Sequence, residues 1–73
     1  MYEVRGYSAG ILIFSENIQE ELQGFLANKK CQLRKGELSL QFGLGIVQTV
    51  RELCIDIYDA SGYRPDLSEN YKY

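Results

Sequence analysis

Histidine is missing from all 73 residues, proline occurs once, and there are only two cysteines. The first absence removes the commonest general base, the commonest metal ligand and any Cys-His nucleophile pair together. Cys31 and Cys54 stand far apart among apolar neighbours. A secreted domain of this size usually carries about four cysteines or more, so the expectation is two reduced, buried, structural thiols in a cytoplasmic protein. No basic-then-apolar leader precedes the first strand-like segment. The longest apolar run, Ile11 to Phe14, falls far below the roughly 20 residues of a membrane span, so no membrane partner is expected.

What is present describes a folded domain. Hydrophobic residues make up 45% of the chain, six tyrosines and three phenylalanines among them, and 25% is charged with a formal net charge of −2. That balance argues against disorder and against a general polyanion binder. So short a chain holds one domain with a small core, a condition that favours self-association.

Along the chain, Tyr2-Glu3-Val4-Arg5 alternates apolar and charged residues, Ser8-Ala9-Gly10 is turn-prone, and Ile11-Leu12-Ile13-Phe14 is continuously apolar. The pattern predicts an N-terminal hairpin whose second strand is buried on both faces and sits centrally. Asn17 three residues before Glu20 resembles a capping pair, and Ile18, Leu22, Phe25 and Leu26 form one helical stripe ending near Lys29-Lys30. From Cys31 to Phe42 the period becomes two, so that a turn at Lys35-Gly36 would set Leu33 against Leu38 and Cys31 against Leu40. Ile46, Val47, Val50, Leu53, Cys54, Ile57 and Tyr58 then follow a helical period, with Ser61-Gly62 and Pro65 as its stop.

The expected fold is therefore α+β: two β-hairpin-plus-helix units in the order ββαββα, a four-stranded mainly antiparallel sheet with both helices on one face. Residues 1–62 form the compact domain, and residues 63–73 a polar, tyrosine-containing tail that is ordered only where its rings dock.

Few motifs carry chemistry. Gly43-Leu44-Gly45 leads from a strand toward a helix start, where phosphates bind, but the third glycine and the Lys-Ser/Thr of a phosphate loop are missing. Glu52, Asp56 and Asp59 would line one side of the second helix, a solvated stripe without the converging oxygens of a hard-cation site. No metal, cofactor or catalytic residue is expected. Lys29, Lys30, Arg34 and Lys35, four of the eight basic residues, lie within seven positions and are the candidate contact for an anion or a nucleic acid, although no aromatic is interleaved with them.

Two helices cannot cover both faces of the sheet, so Leu12 and Phe14 are expected on the bare face, with Ile11 and Ile13 pointing inward. Tyr63, Tyr71 and Tyr73 join them as interface candidates, since tyrosine supplies contact area at low entropy cost. These features point to a small non-enzymatic cytoplasmic binding protein, a regulator or inhibitor that acts through a protein partner and forms a homodimer. A nucleic-acid-associated factor using the basic cluster is the second reading. A ligand-binding subunit that completes its pocket at a dimer interface is the third.

Overall fold

A computed structural model describes residues 1–19, 21–42 and 45–72, with residues 40–42 and 45–48 described by their backbone alone. Strands β1 (Tyr2–Ser8) and β2 (Ile11–Ile18) form an antiparallel hairpin. Ala9 and Gly10, with φ of 52° and 78°, are the two left-handed residues that a tight hairpin turn of this hand needs. Beyond helix α1 (Leu22–Arg34) come a separate two-stranded ribbon, β3 (Ser39–Phe42) with β4 (Gly45–Thr49), and then β5 (Glu52–Asp59), β6 (Gly62–Tyr63) and β7 (Glu69–Lys72). Strand β5 lies antiparallel to β1, with Val4 opposite Ile57 and Gly6 opposite Ile55. On its other side β5 pairs with β6 through Tyr58 and Tyr63, and with β7 through Leu53 and Tyr71.

The fold is thus mostly β, one helix against a five-stranded antiparallel sheet, and the expected ββαββα arrangement with two helices is incorrect. Where the second helix was expected, β4 and β5 stand. Over Leu53 to Tyr58 the apolar positions fit both a helical and a two-residue period. Ile55, which the helical stripe leaves out, is buried with Leu53 and Ile57 in strict alternation. Ser61-Gly62 belongs to the turn between β5 and β6, where Gly62 takes φ 119°.

Helix α1 also differs at both ends. Asn17 and Ile18 pair with Glu3 and Tyr2 in the hairpin, so tertiary pairing overrides their capping pattern, and the helix opens after Glu21 without a side-chain cap. Glu20, the other half of the expected cap, lies outside the described residues. At the far end the helix continues through Cys31 to Arg34, residues expected in a strand. Gly36, at φ 72°, donates its N–H to the Leu33 carbonyl at 3.1 Å, while the Glu37 N–H reaches the Gln32 carbonyl at 2.8 Å. These two crossed bonds define a left-handed glycine cap that satisfies the helix carbonyls.

Leu22, Leu26 and Leu33 of the helix close on Val4, Leu53, Ile55 and Ile57 of the sheet, and Val50 joins them, tied to the β3 side by its N–H on the Leu38 carbonyl at 2.8 Å. Each such side chain contributes about 1.5–3 kcal/mol through burial. The β2 strand lies at the edge of the sheet, not at its centre, and Ile11 and Leu12 are exposed. Residues 63–72, expected to be a tail, contribute β7 and part of β6 to the sheet, and Tyr71 packs against the core. No helix among the described residues is long and apolar enough to cross a membrane.

Candidate interaction surface

Among the described residues one helix covers one face of the sheet, and the other face stands open. Strand alternation decides its composition. Val4, Gly6 and Ser8 of β1 are buried, which turns Glu3, Arg5 and Tyr7 outward. In β5 the buried set Leu53, Ile55 and Ile57 turns Cys54, Asp56 and Tyr58 to the same side. The register then sets Glu3 beside Tyr58, Arg5 beside Asp56 and Tyr7 beside Cys54.

Arg5 organises this face. Its guanidinium binds both oxygens of Glu3 through Nη2 at 2.9 Å, with Nε at 3.2 Å from Oε2, and lies 4.3 Å from the centroid of the Tyr58 ring. Hydrogen bonding to Glu3, above all, holds Arg5 above its ordinary pKa. The Tyr58 ring meets the Tyr63 ring at 5.3 Å and 45°, and the Tyr63 hydroxyl donates to Asp56 Oδ1 at 3.4 Å. A cation, two rings and two carboxylates therefore form one connected platform. A shallow cleft of about 300 Å³ lined by Met1, Glu3, Asn17, Tyr58, Asp59 and Ala60 adjoins it.

The turn beneath Tyr63 is braced. Asp59 accepts from the Ser61 hydroxyl and amide at 2.6 and 2.8 Å, and from Arg64 Nη1 at 2.6 Å, while Arg64 also binds Asp66 at 2.8 and 3.0 Å. The Ser61 bond first, and then Arg64, hold the Asp59 carboxyl at about 2, well below its usual range. The Arg64 bonds likewise lower Asp66.

The expected interface residues divide between the two faces. Leu12 and Tyr63, each 50% exposed, occupy opposite corners of the open face. Phe14 does not share it: Phe14 pairs with Gly6 and Leu12 with Tyr7, so Ile13 is an extra, bulged residue and the alternation breaks between them. The Phe14 ring points under the helix, 6.3 Å from Phe25 in an edge contact. Ile13 packs against the core, and Ile11 is exposed instead of inward. Tyr71 is on the helix side, where its hydroxyl donates to Glu69 at 2.7 Å and burial raises its pKa. Tyr73 lies outside the described residues.

The basic residues are not one patch. Lys29 is held on the β2 flank by Glu16 at 3.3 Å and lies 4.6 and 5.1 Å from the Phe14 and Phe25 rings. Lys30 leans toward the opposite flank, 5.6 Å from the Tyr71 ring, while Arg34 and Lys35 are exposed at the helix end. Both cysteines, expected to be buried, are exposed: Cys31 on the helix and Cys54 on the open face. Glu52, Asp56 and Asp59 follow a strand instead of a helix stripe, and among the described residues no three Cys, Asp or Glu side chains gather as metal ligands. Gly43 and Leu44, of the weak glycine motif, lie outside the described residues.

Arg5, Tyr7 and Tyr58 were not singled out in the sequence. The alternation of Tyr2 to Tyr7 carried a signal for the first two, whereas the helical reading of β5 hid Tyr58. No protein-family model, curated protein or solved structure matches the chain.

Proposed function

We propose that the chain is a small cytoplasmic binding module without a catalytic centre, a regulator that docks protein through the open face of its sheet, with a second copy of itself as the occupant. The observation that carries this reading is the Arg5, Tyr58 and Tyr63 platform, side chains already held in place by Glu3 and Asp56 on a face that no part of the described chain covers. Arginine and tyrosine are the residue types enriched where protein interfaces concentrate their binding energy. The patch also carries both signs of charge, Arg5 among Glu3 and Asp56, the condition under which a surface complements its own copy across a two-fold axis. Absence of histidine supports the non-enzymatic part, and two free, exposed thiols are suited to a reducing compartment.

Analytical ultracentrifugation tests the reading. The parent chain should sediment as a dimer at micromolar concentration, and Leu12→Asp with Tyr63→Ser should yield a folded monomer with unchanged circular dichroism. A parent that stays monomeric at the highest concentration reached, or a double variant that still dimerises, overturns it.

A further inference from the structure

A second surface lies at the flank of the sheet, where the latter half of α1 meets β7. A cleft of about 290 Å³ opens there, lined by Lys30, Leu33, Arg34, Asn70, Tyr71 and Lys72. Lys30 and Arg34 are four residues apart, so the helix carries both on one face, and Lys30 leans over the Tyr71 ring at 5.6 Å. Among the described residues none of Lys30, Arg34 and Lys72 has a carboxylate within ion-pair distance. Glu69, the acid on the same strand, is occupied by the Tyr71 hydroxyl at 2.7 Å, and Glu52, opposite Lys72 in register, forms no ion pair with it. Among the described residues the helix side of the cleft therefore carries Lys30 and Arg34, two cations that form no ion pair, on a chain whose net charge is −2.

Its floor adds a second feature. Strand β7 pairs with β5 on one side, and no described strand pairs with its other side. Such an edge presents unpaired N–H and C=O groups that an extended chain can bond. Four strand residues span roughly 13 Å, enough to register about four residues of an added strand. Alternate side chains of that strand would face α1, where Lys30 and Arg34 flank the buried Leu33.

We propose that this cleft binds an extended acidic peptide segment, which adds to the free edge of β7 as a further strand and places alternate carboxylates against Lys30 and Arg34, with Lys72 beside it. The backbone bonds supply the alignment, and the unpaired cations select the sign of the side chains.

The probe is a fluorescein-labelled octapeptide alternating glutamate and threonine, followed by anisotropy. It should bind, a lysine–threonine octapeptide should not, and Lys30→Gln with Arg34→Gln should weaken binding by about tenfold or more. Lys29→Gln, on the other flank of the same helix, should leave the affinity unchanged. Circular dichroism confirms that the variants fold. Two versions of the probe N-methylated at alternate residues, one for each register, separate strand addition from charge attraction: at least one should lose binding, and the amide resonances of residues 69–72 should shift with the parent probe and not with a version that has lost binding. Absence of binding at millimolar peptide, equal binding by both N-methylated forms, or tighter binding of an oligothymidylate of equal charge overturns the proposal. None of these readouts depends on the open face, so their failure leaves the dimer reading to its own test.

Discussion

The ring of Phe14 lies on the backbone of Gly6, its partner across the β1–β2 ladder, so closely that a Cβ built on Gly6 would clash with three of the ring carbons. Glycine is needed here for room, since the space a side chain would take is filled by the aromatic that links the sheet to Phe25 of the helix. Gly6→Ala should therefore destabilise the fold by about 1–3 kcal/mol, the range for overpacking a filled core. Adding Phe14→Leu to Gly6→Ala should recover part of the loss, and urea unfolding of the four members of that cycle measures the coupling. Strictly additive losses would show that the two residues do not share the space.

A glycine with a different task closes the helix. Gly36 has φ 72°, a conformation that costs an L-residue with a side chain roughly 1–2 kcal/mol. Gly36→Ala should lower stability by about that amount, whereas Gly36→Asn, more tolerant of this region, should lower it less. Thermal unfolding of both variants checks the order.

That same glycine explains how far the fold was legible. A left-handed glycine serves a hairpin turn and a helix cap equally well, and Cys31 and Leu33 fit a strand as readily as Leu22, Leu26 and Leu33 fit one helix stripe. The choice rests on crossed bonds from Gly36 and Glu37 back into α1, which depend on backbone geometry and not on residue spacing. Strand β5 carried the same ambiguity, and Ile55 was the one residue able to resolve it. The first hairpin was plain because alternation in β1 and the turn at Ala9-Gly10 agree, yet its bulge at Ile13 is invisible in a pattern of four consecutive apolar residues. Leu12 was legible as an exposed apolar residue of a sheet face, whereas Tyr63, expected in a tail, owes its place on that face to its pairing with Tyr58. The Arg5 to Tyr58 contact depends on the β1–β5 register, which no local pattern announces.

Asp59 makes the braced turn sensitive to acid. Its carboxyl in the folded chain is held at about 2, below the ordinary value near 3.9, so the unfolded chain takes up the proton first. The stabilisation from this group is complete above about pH 4 and fades as the pH falls through about 2. NMR titration of the Asp59 carboxyl should show that low midpoint, with loss of the Ser61 amide shift alongside it. In Arg64→Gln the midpoint should rise only in part, because the larger contribution comes from the Ser61 bond; a full return to the ordinary value would assign the whole effect to Arg64.

Cys54 and Cys31 report on opposite sides of the molecule. Cys54 stands on the open face between Tyr7 and Asn70 in the ladder, and Cys31 is exposed on the helix that covers the other face. With the sheet between them, the two thiols cannot approach to the distance a disulfide requires, and both should alkylate once each in the native protein. If the proposed association occurs through the open face, their rates should separate. If a second copy covers the open face, iodoacetamide should modify Cys54 more slowly as protein concentration rises through the dimerisation range, whereas the Cys31 rate should stay constant. Peptide mass spectrometry after timed quenching gives both rates from one sample. Equal and concentration-independent rates in a chain that sediments as a dimer would place the contact elsewhere, and in Leu12→Asp with Tyr63→Ser the Cys54 rate should equal that of the dilute parent at every concentration.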